Sequence, residues 1–258
     1  MVEPSFSFFG LTIRWYGIFI ASGGVLAFNI IEKQSKKYQL STSQLNKMSV
    51  YAVIGGFLGA RMWHLATDWH LYANNLIEIF AIWRGGMSIF GAVAGGLVAL
   101  VIYSRRSRVK FWKMSDLLIF GLPLGQIVGR LGNWVNGELY GLPTNLPWKL
   151  FVAPENRLAG FETASYYHPL FLYEIILLSI FLIFVWLRET RAKNSWQVGS
   201  GKLTLLFIAY YSFIRILLDF LRLDKATAFG SQIGINQVVC IIAFLTVVII
   251  WKRRYKKP

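Results

Sequence analysis

The 258-residue chain is 55% hydrophobic, only 15% charged and carries a formal net charge of +15. That composition is far more apolar than that of a soluble domain of similar size and reads as an integral membrane protein. The single cysteine, Cys240, excludes a disulfide framework or a cysteine metal site.

The apolar residues gather into seven blocks, each near the roughly 17 to 25 residues that a helix needs to cross a bilayer. They run from about 13 to 31, 48 to 66, 86 to 103, 114 to 132, 169 to 187, 203 to 221 and 235 to 251. The expected architecture is all-α, a polytopic membrane protein of seven transmembrane helices in one integral membrane domain spanning residues 1–258. The first block has no basic leader and no clear small-residue cleavage site, so it reads as a retained helix.

Basic residues set the orientation, because short cytoplasmic loops collect Lys and Arg. Lys33, Lys36, Lys37 and Lys47 follow helix 1, and Arg105, Arg106, Arg108, Lys110 and Lys113 follow helix 3. Arg188, Arg191, Lys193 and Lys202 follow helix 5, and Lys252, Arg253, Arg254, Lys256 and Lys257 form the tail. The N-terminus is therefore expected outside and the C-terminus in the cytoplasm. Basic clusters at helix ends suit anionic lipid, so the charge does not point to a nucleic-acid partner.

Before helix 1, Ser5 to Leu11 is a short apolar stretch expected at the outer interface. Trp15 and Tyr16 open the helix, and Tyr16 is either a belt anchor or a hydroxyl aimed into a polar cavity. Helix 2 carries Gly55, Gly56 and Gly59, whose small side chains let helices approach closely. Arg61 follows, as a snorkelling cation or a cavity-facing one. His64 and His70 flank Asp68 at a spacing that presents no metal-binding face on a helix. Gly85 and Gly86 precede helix 3, either as a plain turn or as backbone amides open to an anion.

Helix 4 steps through Gly121, Gly125 and Gly129, with Pro123 between the first two, and delivers Arg130. A charge at the bilayer centre costs about 3 kcal/mol or more, so intramembrane ionisable groups face a cavity, a partner or a polar ligand. Arg130 and Asn133 share a helix face, and Asn136 and Glu138 follow where Gly137 and Gly141 allow the chain to turn. Converging, they would offer a planar fork and amide donors to a phosphate, with Glu138 to orient the arginine or accept a proton. A structural Arg130 to Glu138 salt bridge is the plainer alternative. A long loop follows, rich in turn formers, and an extracytoplasmic head of about 136–168 is expected.

Helix 5 opens with His168-Pro169-Leu170-Phe171-Leu172-Tyr173-Glu174, and Glu174 inside an apolar block must be paired or protonated. On helix 6, Tyr211, Arg215, Asp219 and Arg222 form one polar stripe, which faces protein or water; an internal Arg215 to Asp219 pair is the bland reading. Helix 7 adds only Asn236 and Gln237 at its outer end.

These motifs, in this order, resemble the prolipoprotein diacylglyceryl transferase family. The likeness spans nearly the whole chain, and the thirteen residues from Gly129 to Gly141 are its most specific part. The resemblance implies a bacterial plasma (inner) membrane enzyme that moves the diacylglyceryl group of phosphatidylglycerol to the lipobox cysteine of a prolipoprotein signal peptide, forming a thioether and releasing glycerol 1-phosphate. It implies no cofactor and no metal, and partners limited to that lipid, that peptide and the bilayer. By motif match, Arg130, Arg215, Tyr211 and Glu174 are its catalytic candidates, and Arg130, Asn133, Asn136, Glu138, Gly141, Tyr16 and Arg222 bind substrate.

Three positions depart from the family pattern. Phe90 stands where a histidine or tyrosine is common, Phe171 where a glutamine is common, and Asp219 is one methylene shorter than the usual glutamate. The thiol proton must then pass to Glu174, Glu138 or the lipid phosphate. A homologue that keeps the lipid pocket with changed chemistry is the competing reading. A transporter predicts internal repeats, and the helix 4 signature has no counterpart elsewhere in the chain.

Overall fold

The computed structural model describes residues 5–8, 11–191, 198–227 and 233–255. Lys193, Lys256 and Lys257, which entered the orientation argument, lie outside the described residues. Helices dominate: α1 (Trp15–Ser35), α2 (Thr42–Thr67), α3 (Ile89–Ser107), α4 (Phe111–Leu118), α5 (Leu122–Val135), α6 (Leu170–Arg191), α7 (Lys202–Asp219) and α8 (Ile235–Tyr255). Each of the seven apolar blocks is helical, and the fourth is broken into α4 and α5.

The break follows from Pro123. Proline lacks an amide hydrogen and its ring crowds the preceding turn, so a helix stops before it, while the first turn of a new helix accepts it. Pro123 sits in the first turn of α5, after the Gly121 cap. The expectation of one continuous helix from 114 to 132 is corrected on this point.

Among the described residues, four helices are long and apolar enough to cross a membrane: α1, α3, α6 (over Leu170–Glu189) and α8. The broken pair α4 and α5 makes a fifth if it counts as one span. This is the helix complement of a polytopic membrane protein. Within its 18 residues α7 carries Lys202, Arg215 and Asp219, and α2 opens on the polar run Thr42-Ser43-Gln44.

The strands among the described residues are two small antiparallel pairs. β1 (Ser5–Phe8) pairs with β2 (Leu11–Arg14), with Phe6 opposite Ile13. Helix 1 therefore begins at Trp15 and not at 13, because residues 11 to 14 are drawn into this ladder. β3 (Leu150–Phe151) pairs with β4 (Tyr166–Tyr167) inside the expected head.

The chain forms two compact units, residues 32–117 and residues 1–31 with 118–258. In the first, α2 lies against α3 through glycines: a Cβ on Gly59 would stand 2.3 Å from the Gly91 carbonyl, and one on Gly95 2.2 Å from that of Gly55. In the second, α1 and α5 meet the same way, with a Cβ on Gly121 falling 2.4 Å from the Ala27 carbonyl.

The second unit also holds the head, whose small core is Tyr140, Val152 and Tyr167. The Tyr140 hydroxyl donates to the Asn156 carbonyl at 2.5 Å and the Tyr167 hydroxyl to that of Ala164 at 2.9 Å. Burial pushes the Tyr140 phenol up from its ordinary value.

Candidate active site

The end of α5 is stitched to its neighbours by main-chain bonds. Gly141 N–H donates to His168 O at 2.8 Å, Leu142 N–H to Leu221 O at 2.8 Å, and Phe171 N–H to Leu139 O at 3.2 Å. Gly141 also bridges Arg222 in antiparallel register. These bonds hold the end of α5, the start of α6 and the end of α7 together, so polar residues near those three ends meet.

What meets is a carboxylate between two arginines. Glu174, fully buried, accepts from Arg130 Nη2 at 2.8 Å through Oε1 and from Arg215 Nη1 at 3.2 Å through Oε2. The Tyr211 hydroxyl donates to Oε1 at 3.3 Å, and Arg130 Nη1 donates to Asn133 Oδ1 at 3.0 Å. Arg130 Nε is buried with no hydrogen-bond partner. One negative charge thus faces two positive ones, and a donor is left over, an excess suited to an entering anion.

Of the ten expected site residues, the structure brings five into this network: Arg130, Asn133, Glu174, Tyr211 and Arg215. Tyr16 lies beside it, its ring so close to Gly132 that a Cβ there would stand 2.8 Å from the ring. Asn136 and Glu138 pair with each other, Asn136 Nδ2 to Glu138 Oε1 at 3.2 Å, and Glu138 is exposed. Gly141 serves the backbone, since a Cβ there would meet the Leu221 carbonyl at 2.7 Å.

Arg222 turns away to Asp224 through a two-pronged bond, Nε to Oδ1 at 2.6 Å and Nη2 to Oδ2 at 2.9 Å. Each partner shifts the other: the hydrogen bond to Arg222 holds the Asp224 carboxyl below its ordinary value and raises the guanidinium.

Both salt bridges offered as bland alternatives are corrected. Arg130 pairs with Glu174 and not with Glu138. Arg215 pairs with Glu174 and not with Asp219, whose two carboxylate oxygens are buried without a hydrogen-bond partner.

Arg61 neither snorkels nor lines a cavity. It is buried and bonded to the carbonyls of Glu78, Ile79, Gly85 and Gly86. Gly85 and Gly86 adopt φ of 94° and 77°, which only glycine takes readily, so the turn reading holds there.

Phe90 lies near Trp63, ring centroids 6.3 Å apart, and Phe171 stacks on Trp134 at 6.5 Å. Sequence reasoning missed Trp148, whose Nε1 donates to the Tyr173 hydroxyl at 2.8 Å; that hydroxyl lies 3.0 Å from His168 Nδ1. His168 and Tyr173 stood in a recognised motif, but nothing local marks Trp148 in the loop as their partner. His64 Nδ1 pairs with Asp68 at 2.9 Å, and no cluster of potential metal ligands occurs among the described residues.

A family model described as prolipoprotein diacylglyceryl transferase matches residues 4–253. A protein of Synechococcus elongatus named phosphatidylglycerol–prolipoprotein diacylglyceryl transferase is 34% identical over 242 residues, covering 93% of this chain and 84% of its own. Proteins of the same name from Trichormus variabilis and Fervidobacterium nodosum are 38% and 37% identical. They cover 83% and 89% of this chain, and 77% of each relative is matched.

Proposed function

The chain belongs to the prolipoprotein diacylglyceryl transferase family, and from that premise we propose that Arg130 and Arg215 clamp the phosphate of phosphatidylglycerol beside Glu174. The chain is a transferase: it moves diacylglyceryl from phosphatidylglycerol to the cysteine thiol of a prolipoprotein. The observation that carries the proposal is the pair of guanidinium groups on one fully buried carboxylate, with Arg130 Nε unspent.

In the reaction, the thiol sulfur attacks the glyceryl carbon, a C–S bond forms, and the C–O bond to phosphate breaks. The electron pair leaves on glycerol 1-phosphate, and charge grows on the oxygens the arginines hold. Donors already aimed at that charge stabilise the transition state without reorganisation. Glu174 keeps the two forks in place before the lipid arrives, and Tyr211 braces Glu174. Asn133 fixes Arg130 from the other side, and Tyr16, packed on Gly132, walls the same end of α5.

The thiol proton goes to the departing phosphate. Glu174 already accepts from three donors, Glu138 is tied to Asn136 away from the network, and Phe90 has no proton to exchange. The phosphate clamp is thus the obligatory part of the site. On this reading the protein lies in the bacterial plasma membrane and crosses it seven times as one membrane domain, with the head and N-terminus outside and the tail in the cytoplasm.

The test is transfer of labelled diacylglycerol from phosphatidylglycerol to a lipobox-cysteine peptide by the purified protein. Arg130→Ala is expected to lower the rate by about 100-fold or more, with the parent active despite Phe90. Full activity in Arg130→Ala would overturn the clamp. A silent parent rescued by Phe90→His would move the proton to a base at position 90, and silence in all three would favour a lipid-binding homologue with altered chemistry.

A further inference from the structure

We propose that the stretch from Trp69 to Trp83 is embedded in the lipid at the bilayer interface, and that Arg61 makes this possible by satisfying its main chain. The inference concerns residues 32–117 alone and does not depend on the transferase chemistry.

Between α2 and α3 the chain makes three 3-10 turns, Trp69–Leu71, Leu76–Phe80 and Ile82–Arg84. A loop in water would turn its apolar side chains inward. Here Ile77, Phe80 and Trp83 are exposed by 79%, 76% and 79%, and Trp69, Leu71 and Leu76 by more than half. An exposed apolar patch of this extent marks an interaction surface.

The occupant is lipid and not a protein partner, on two grounds. The patch runs on into α3, a candidate span whose Ile89, Val93 and Leu97 are also exposed. Glu78 and His70 are the only residues of the stretch that can carry charge, and its two tryptophans suit the headgroup boundary.

The obstacle to such a position is the backbone. Irregular chain in hydrocarbon leaves N–H and C=O groups that water would otherwise satisfy, each at a cost of several kcal/mol. This stretch answers part of the cost internally. Glu78 N–H donates to Asn75 O, Ala81 N–H to Glu78 O and Gly85 N–H to Ile82 O, each at 3.1 Å, and Asn75 Oδ1 accepts from Ile77 N–H at 3.3 Å.

Arg61 then adds donors on the carbonyl side, to two oxygens of the stretch and to two of the turn that follows it. Its Nη2 donates to Glu78 O at 2.6 Å, Nε to Ile79 O at 2.9 Å, and Nη1 to Gly85 O and Gly86 O at 2.8 and 3.0 Å. The guanidinium also lies over the Tyr72 ring, 5.1 Å from its centroid. It is 7% exposed, and every hydrogen bond it makes among the described residues goes to a main-chain oxygen. A lysine ammonium is a point donor and cannot span four carbonyls as this planar fork does.

The test uses the full chain in liposomes of phosphatidylcholine and phosphatidylglycerol. In a Cys240→Ala background, an NBD fluorophore is attached at Phe80→Cys or, as a water-exposed reference in the head, at Glu162→Cys. Nitroxide on the lipid acyl chain is expected to quench the label at position 80 about threefold or more beyond that at 162, and aqueous iodide to show the reverse order. Iodide quenching at 80 as strong as at 162 would overturn the embedding.

Adding Arg61→Lys is expected to abolish the lipid quenching at 80 while the helical circular dichroism stays intact. Unchanged quenching would overturn the role of Arg61. If that variant fails to reconstitute, Arg61→Gln reads the same step, because its single amide group cannot reach the four carbonyls that the fork holds.

Discussion

Glu174 is shared by two guanidinium groups, so replacing it strands two buried charges at once. Removing one partner of a buried ion pair costs about 3 to 5 kcal/mol, because the other charge is left uncompensated. Glu174→Ala is therefore expected to unfold at a markedly lower temperature in detergent than Asp219→Ala, whose carboxylate holds no partner. Equal melting points for the two would refute the pairing. Titration at Asp224 has a definite sign. Its folded pKa lies below the unfolded value of about 4, so the Arg222 bond stabilises the protein above that value and is lost as pH falls through the depressed one. Asp224→Asn should then lose less melting temperature than the parent between pH 6 and pH 3, and identical losses would show that the bond contributes nothing. Local spacing brought Arg130, Asn133, Tyr211 and Arg215 to attention, since polar groups in apolar helices are conspicuous. It could not pair them: Arg130 and Arg215 find Glu174 at separations of 44 and 41 residues, whereas the i, i+4 rule pointed Arg215 at Asp219. Asn136 and Glu138 were drawn in by proximity along the chain and pair with each other across Gly137, while Arg222, drawn in by its place on the helical stripe, is taken up by Asp224.

At the scale of elements, helix contacts rest on absent side chains. With no water to expel between helices in lipid, close backbone approach supplies the attraction. Gly95→Ala places a methyl 2.2 Å from the Gly55 carbonyl, and overpacking of this kind costs about 1 to 3 kcal/mol. Gly24→Ala meets nothing within 4 Å and serves as the neutral partner. Melting curves in detergent should separate the two, and a Gly95→Ala protein as stable as Gly24→Ala would show that the α2 and α3 backbones can part without loss. The glycine spacing was legible because it is local and periodic. The break between α4 and α5 was written in the same stretch, at Pro123, but hydropathy reads an unbroken apolar run across it. The ladder of residues 5–8 on 11–14 escaped notice because its apolar residues continue smoothly into the first helix.

For the whole molecule, the number of bilayer crossings turns on α2 and α7. By length and composition, α1, α3, the α4 and α5 pair, α6 and α8 qualify among the described residues. Composition, however, counts Arg215 against α7 as a free charge, although the structure neutralises that arginine on Glu174 within the protein. With Arg215 paired and Asp219 buried within the protein, the remaining apolar face of α7 can meet lipid and the helix can span. Parity makes this testable with single cysteines in a Cys240→Ala background. The head, at Glu162→Cys, and the tail, at Lys252→Cys, are separated by α6, α7 and α8: opposite sides if α7 crosses, the same side if it does not. Ser7→Cys and Glu162→Cys are separated by α1, α2, α3 and the broken pair: the same side only if α2 crosses. A membrane-impermeant maleimide on intact cells should therefore label positions 7 and 162 and spare 252 until the membrane is opened. Labelling of 252 in intact cells would remove α7 from the spans, and protection of 7 beside a labelled 162 would remove α2. Either result would also undo the orientation argued from the basic loops, since that argument counts both helices as crossings.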